Sequence, residues 1–289
     1  MTWLVTGASG QLGMAFQRAL PSDGSICFAD RTICDLSESQ SLTKCLTENQ
    51  PSVIINCAAY TAVDAAEDDR KTAFRVNATA VGEMAKWAAD HGALMVHFST
   101  DYVFDGNASE SYTEEAKVNP QSVYGHSKAA GEALFTESGV PGFCLRTSWV
   151  HSNDGRNFLL TMKKLMQERD QLRVVEDQRG VPTTTDFLVD VTRHLIARQL
   201  QGDGAVPTIL HAVPDGNTTW FGFASHIRRM MMRRNGGTNL AEVTPIASSE
   251  FPQAARRPPN SVMSNALLAA TLDRAADDWT DWHNRLYDW

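Results

Sequence analysis

Two constellations in the sequence hold groups suited to moving a proton beside a carbonyl. In "VYGHSKAAGE", Tyr124 and Lys128 are four residues apart in a helical pattern, which puts both side chains on one face, one turn apart. An ammonium beside a phenol favours phenolate and is expected to lower the tyrosine pKa from about 10 toward a working range. A tyrosine so tuned gives a proton to a carbonyl oxygen as it becomes an alkoxide, or takes one in reverse. Lys128 could also hydrogen-bond a nicotinamide ribose. The second constellation is "MVHFSTDYVFDG", where an apolar run ends abruptly in Ser99, Thr100, Asp101 and Tyr102. A hydroxyl, a carboxylate and a phenol thus stand in a row where a buried strand reaches the surface. The YxxxK spacing alone is common by chance, so its weight depends on what surrounds it.

What surrounds it is a dinucleotide-binding pattern. The first strand-like run ends in "TGASGQLG", with Gly7, Gly10 and Gly13 spaced GxxGxxG and a helix opening near Gln11 and Leu12. Glycine permits a tight turn and close approach of backbone N–H groups to a pyrophosphate, and the helix presents its positive end. The second run ends in "FADR": Asp30 stands where a carboxylate would accept hydrogen bonds from an adenosine ribose, whereas Arg31 would meet a 2′-phosphate. NADPH and NADH both remain open as the cofactor. Asp35 and Leu36, in "CDLS", are placed near an adenine, Asp35 serving equally well as a helix cap. After the third run, Ala58 and Ala59 are small enough for a cofactor to lie against the backbone, with Tyr60 beside them.

These residues need a scaffold, and the alternation of runs supplies one. "TWLVTG", "SICFAD", "SVIINCA", "LMVHFS" and "GFCLRTSW" read as strands, separated by helical patterns at Leu12–Leu20, Ser37–Thr47, Arg70–His91 and Ser127–Ser138. That order predicts an α/β fold, a Rossmann-like doubly wound parallel sheet with ligands at the strand carboxyl ends. Beyond Trp149 the pattern is less regular. Helices are expected at Asn157–Arg169, Asp186–Leu200 and Trp220–Arg234, a short strand at Leu172–Val175, and a returning core strand in "TILHAVP". The division expected is a dinucleotide-binding domain of residues 1–148 with return segments about 183–213, and a smaller substrate-binding lobe of 149–182 and 214–289. The tryptophans near the end (Trp279, Trp282, Trp289) read as packing, and so do the methionines of "RRMMMRR".

Composition narrows the partners. With 26 basic against 34 acidic residues and a formal net charge of −8, the chain does not look like a nucleic-acid binder. Five cysteines without a CxxC pair suggest reduced thiols, and His97 and His126 have no metal-ligand partners at a recognisable spacing, so no metal is expected. No signal peptide or apolar run of membrane-spanning length is visible, and a cytoplasmic protein without a membrane partner is expected.

"TGASGQLG", "NCAAYTAVDAAE", "STDYVFDG", "VYGHSKAAGE" and "RTSWV" together resemble the extended short-chain dehydrogenase/reductases, and within them the dTDP-4-dehydrorhamnose reductases. The likeness continues through "DQRGVPT", "TTWFGFA" and "RRPPNS", nearly the whole chain. It implies that Thr100 joins Tyr124 in holding a sugar's C4 carbonyl oxygen, that Asp101 and Tyr102 line the sugar site, and that Trp149 closes over it. It further implies a dTDP-linked 4-keto-6-deoxy sugar as substrate. Related dehydratases carry an Asp-Glu pair after this threonine; here Tyr102 replaces the glutamate, so the base needed for elimination is missing. Arg256 and Arg257 are candidates for diphosphate contact or plain surface arginines. Some members dimerise around a metal held by carboxylates, one of them on the first helix, where this chain has Ala15; with Asp186 alone the set looks incomplete, and monomer or homodimer stays open. Reduction of another 4-keto-6-deoxy sugar, an NAD-retaining epimerase, and a binding subunit of the methionine adenosyltransferase type are the competing readings.

Overall fold

The structure is a computed structural model and describes residues 2–21, 24–234 and 240–286. Its centre is a six-stranded sheet. In chain order the elements are β1 (Trp3–Thr6), α1 (Gln11–Ala19), β2 (Ile26–Ala29), α2 (Ser39–Asn49) and β3 (Val53–Asn56). Then come α3 (Arg70–Phe74), a π-helical turn (Arg75–Thr79), α4 (Ala80–His91), β4 (Leu94–Thr100), α5 (Val123–Glu137) and β5 (Gly142–Thr147). The second half adds α6 (Phe158–Glu168), α7 (Thr185–Gln201), a return strand Ile209–His211, and α8 (Trp220–Arg234). Across the sheet the order is return strand, β5, β4, β3, β1, β2, and every pairing is parallel. The direction of winding reverses between β1 and β3, which opens a crevice at their carboxyl ends.

Burial explains why the strands read as near-continuous apolar runs. Val53–Asn56 and Leu94–Thr100 are buried at every position, as expected where helices cover both faces. Successive residues alternate between two cores. Val5, Ile55, Val96 and Leu145 pack with Phe16 of α1 and Phe187 and Leu195 of α7. Leu4, Ile54, Met95 and Cys144 pack with Leu42 of α2, Met84 of α4 and Phe135 of α5. Ala15 is part of the first of these cores, whereas Asp186 is exposed.

A third core lies beside the sheet edge. It joins Leu159 and Met162 of α6, Phe223, Ile227 and Met231 of α8, Leu172 and Val174, Trp279, and the loop residues Val103, Phe104 and Tyr112. A parallel pair, Gln171–Val175 with Glu242–Ile246, supports it. Trp282 packs edge-on to Phe187 at 5.3 Å, and Trp289 lies outside the described residues. Among the described residues no helix is long and apolar enough to cross a membrane.

Two elements differ from the sequence expectation in ways that matter for the site. The helix expected from Ser127 begins at Val123, because the Ser122 hydroxyl accepts from the Gly125 N–H at 3.1 Å and caps it. The expected Arg70–His91 helix is interrupted by the π-helical turn. That turn aims Asn77 inward, where Oδ1 accepts from the Tyr60 N–H (2.8 Å) and Nδ2 donates to Tyr60 O and Ser127 Oγ (both 3.0 Å). The loop after β3 is thereby tied to α5.

Candidate active site

Each sheet strand from β1 to β5 delivers its following loop to one edge, and the loops enclose a cleft of about 1550 Å³. At one end lies the glycine loop. Gly7 has φ +66, and a Cβ there would stand 2.7 Å from the Ala58 Cα. A Cβ on Gly13 would be 2.3 Å from the Gly7 carbonyl oxygen, so α1 rests directly on the loop backbone. Gly10, the N-cap of α1, has no side chain to occupy the first-turn N–H groups. The space that side chains would fill is thus kept open beside a helix N-terminus, a fit for a dinucleotide's pyrophosphate. Gln11 holds the loop to the second half, its Oε1 accepting from Ser152 Oγ (3.1 Å) and Asn157 Nδ2 (2.7 Å).

In the middle of the cleft β4 ends in the polar row. The Thr100 hydroxyl donates to Asp101 Oδ1 at 3.0 Å and accepts from the Tyr102 N–H at 3.2 Å, capping a short 3-10 turn over Asp101–Val103. α5 packs against this turn at Gly125, where a Cβ would lie 2.3 Å from the Tyr102 carbonyl oxygen. That contact sets the Tyr124 ring edge-on to Tyr102, 5.5 Å between centroids. The Thr100 hydroxyl stands close enough to the Tyr124 phenol to lower its pKa. Lys128 is 2% exposed and donates from Nζ to the Phe98 carbonyl at 2.6 Å.

At the far end the wall is aromatic. Trp149 has φ 47, a left-handed backbone that a bulky residue rarely adopts. Its ring stacks on Trp220 at 3.6 Å and 8°, and Trp220 in turn meets Phe158 at 4.6 Å. Gly180 completes the slot, since a Cβ there would lie 2.5 Å from the Trp149 ring. Arg257 reaches in from the C-terminal segment, with Nη1 donating to the Tyr102 hydroxyl at 2.8 Å and Nη2 to Asp64 Oδ2 at 2.5 Å.

A family model described as RmlD substrate binding domain matches residues 1–288. A dTDP-4-dehydrorhamnose reductase of Burkholderia thailandensis is 39% identical over 284 residues, 96% of this chain and 95% of that relative. The chain belongs to the dTDP-4-dehydrorhamnose reductase family. Two solved members superpose with a TM-score of 0.90. One is from Clostridium acetobutylicum (36% identity, 100% of this chain and 99% of that one). The other, from Bacillus anthracis in complex with NADP, has 33% identity and covers 99% of each chain.

Of the residues singled out in the sequence, Gly7, Gly10, Gln11, Leu12, Arg31, Asp35, Leu36, Ala58, Ala59 and Tyr60 line the cleft, as do Thr100, Asp101, Tyr102, Tyr124, Lys128 and Trp149. Gly13 lies beneath it, under the loop. Asp30 is turned aside: its Oδ1 accepts from Thr32 N (2.9 Å), Thr32 Oγ1 (2.6 Å) and Ile33 N (3.3 Å), bonds that hold its pKa down. The two C-terminal arginines part company, Arg257 lining the cleft and the exposed Arg256 bonding Gln121 at 3.2 Å.

The electrostatics differ from the sequence expectation at one point. Burial raises the Tyr124 phenol above its ordinary value, and the neighbouring Asp101 and Tyr102 add to that, while the Thr100 hydrogen bond opposes it. Lys128 Nζ is turned into the protein, donating to Phe98 O and lying 3.3 Å from His97 Nε2. Burial also lowers Lys128 to about 8 and raises Asp101 to about 6. His97, read from the sequence only as a histidine without metal-ligand partners, lies in contact with the lysine. Its only signal was a histidine inside an otherwise apolar strand.

Proposed function

We propose that this protein reduces the C4 ketone of dTDP-4-dehydro-β-L-rhamnose to dTDP-L-rhamnose with NADPH or NADH, the final step of dTDP-L-rhamnose synthesis for cell-surface polysaccharide. The observation that carries the reading is Tyr124, held protonated by burial beside Thr100, at a rim that has Tyr102 where elimination would require a carboxylate. A reductase needs an acid at the carbonyl oxygen, and a phenol whose pKa is raised remains an acid across the neutral range. The family relatives that bear the reductase name support the same substrate.

In this reading, residues 1–148 with 183–213 hold the cofactor, and residues 149–182 with 214–289 hold the sugar nucleotide. When bound, the reduced nicotinamide supplies the hydride. Thr100 and Tyr124 hold the C4 oxygen, and Tyr124 gives its proton to that oxygen as negative charge develops on it. Lys128 acts from behind Tyr124 and toward the cofactor ribose. Trp149 and Trp220 form an apolar wall against the deoxy sugar, and Asp101 and Tyr102 bound its hydroxyl side. The activity is assigned to the cytoplasm, where reduced nicotinamide cofactors are available.

The test is oxidation of NADPH and NADH, followed at 340 nm, on addition of dTDP-4-dehydro-β-L-rhamnose. Wild-type protein is expected to turn over, and Tyr124→Phe to lose about 10²–10⁴-fold in kcat with cofactor affinity nearly unchanged. A folded, cofactor-binding wild type that leaves this substrate untouched would overturn the assignment. Turnover undiminished in Tyr124→Phe would remove the tyrosine from its role.

A further inference from the structure

Behind Lys128 runs a chain of buried polar side chains that neither the cofactor nor the sugar would touch. Thr6 Oγ1 donates to Asn56 Oδ1 at 2.7 Å, and the Ala58 backbone N–H donates to the same oxygen at 3.2 Å. Asn56 Nδ2 lies 3.1 Å from His97 Nδ1, and His97 Nε2 lies 3.3 Å from Lys128 Nζ. Thr6 and His97 are 0% exposed and Asn56 1%, so water does not adjust these bonds.

The directions of the bonds follow from one end. A backbone N–H can only donate, so the Asn56 amide must turn its oxygen to Ala58 and its NH₂ to His97. His97 Nδ1 must therefore accept. A neutral imidazole that accepts at Nδ1 carries its proton on Nε2, and burial keeps His97 neutral, well below its ordinary pKa. The Nε2–H then points at Lys128 Nζ. An ammonium has three donors and no acceptor, so it meets this N–H donor to donor, whereas an amine can accept from it and still donate to Phe98 O.

We infer that His97 is a positioning residue for the reaction: fixed in its Nε2–H tautomer by Asn56 and the Ala58 amide, it disfavours the charged form of Lys128 and brings that lysine's titration into the working pH range. The inference rests on the roles proposed above for Tyr124 and Lys128. Burial lowers Lys128 to about 8, and the opposed donor acts in the same direction. The other titratable groups acting on Nζ are Cys144 on β5 and, on α5 itself, Glu132. Glu132 is held by Arg146 in a buried pair, with bonds of 3.0 and 2.7 Å, and Cys144 is kept as a thiol by burial. Neither supplies a tautomer-dependent contact. With Lys128 required as the ammonium, kcat/KM falls as pH rises through the lysine's pKa.

Two substitutions remove the donor facing Lys128 by different routes. Asn56→Asp keeps an oxygen for Thr6 and Ala58 but turns a second oxygen to Nδ1, which moves the histidine proton there and leaves the Nε2 lone pair facing Lys128. His97→Leu removes the Nε2–H outright, with no change of charge. The experiment combines ¹⁵N correlation spectra of the histidine rings, the Lys128 titration followed by its ¹³Cε resonance, and pH profiles of kcat/KM, with thermal unfolding as a check of folding.

Wild-type His97 is expected as the Nε2–H tautomer, and Asn56→Asp as Nδ1–H. The alkaline limb, near pH 8 in the wild type, should move up by about one unit in both variants, about tenfold in relative activity at a pH well above it. A purely structural role would lower activity at every pH and leave the limb in place. An Nδ1–H tautomer in the wild type, or an unmoved Lys128 titration in a folded His97→Leu, would overturn the inference. The spectra need no substrate, so a failure to turn over would count against the reductase reading and leave the tautomer result standing. If Asn56→Asp does not fold, the wild-type tautomer and His97→Leu decide.

Discussion

The two ends of the cleft are built on opposite principles. At the cofactor end the shape comes from backbone: a loop at φ +66, a helix resting on it, and missing Cβ atoms at Gly7 and Gly13. At the sugar end it comes from side chains gathered from distant segments, with Trp149 stacked on Trp220 and Arg257 bridging Tyr102 and Asp64. Backbone surfaces have no slack, because a single added methyl meets main-chain atoms that cannot rotate away. Side-chain surfaces yield by degrees. The difference predicts sharp, all-or-none damage at one end and graded loss at the other.

The strongest way to break that contrast is Gly7→Ala. The new Cβ would fall 2.7 Å from Ala58 Cα and N, and alanine would also have to hold a left-handed backbone. NADPH affinity, read by calorimetry, is expected to drop by more than about 100-fold, roughly 3 kcal/mol. A loss of only a few-fold in a folded variant would show that the cradle can shift and that the two ends differ less than argued. At the sugar end, Trp220→Ala removes the surface that holds the Trp149 ring and leaves its left-handed backbone without that support. The expected result is a rise of about tenfold in KM for the sugar nucleotide, about 1.4 kcal/mol and the upper end for an aromatic pair, with kcat and NADPH affinity little changed. A collapse of kcat instead would place Trp220 among the groups that align the reacting atoms.

The same division governs what could be read from the sequence. The backbone-built end was legible because its determinants are local. Gly7, Gly10 and Gly13 lie within a few residues of one another after an apolar run, and five such runs alternate with helical patterns. Tyr124 and Lys128 were legible for the same reason, being one helical turn apart. Asn77, which ties Tyr60 to Ser127, was not, because its place depends on a π-helical turn inside what reads as one continuous helix. His97 reads as an ordinary core residue until β3 and β4 pair and set Asn56 on one side of it and Lys128 on the other. Arg256 and Arg257 look alike in sequence, and only the packing of the C-terminal segment on Asp64 separates them. Trp149 was singled out by family resemblance, but the stack that holds it brings together residues 71 positions apart.

The smallest expected effect sharpens the comparison at the outer rim of the cofactor end, where side chains take over from backbone. Arg31 lines the cleft with its side chain 78% exposed, and its Nε donates to Asp35 Oδ2 at 3.0 Å. Asp35 is itself steadied by Ser37, whose N–H and hydroxyl both donate to Oδ1 and lower its pKa. Asp30, the residue that would favour an unphosphorylated ribose, spends its Oδ1 on its own turn. A guanidinium facing the cleft beside a carboxylate turned away favours a 2′-phosphate, so NADPH is expected to bind more tightly than NADH. Because the contact is exposed, it is worth about 1 kcal/mol, and Arg31→Ala should weaken NADPH by about fivefold while leaving NADH unchanged. The discrimination should also shrink between low salt and about 0.5 M salt, as screening of an exposed charge requires. Equal weakening of both cofactors would mean that Arg31 meets a part they share, such as the adenine. If neither is weakened, Asp30 must turn toward the ribose when a cofactor binds, and the rim would then be set by the ligand and not by the resting fold.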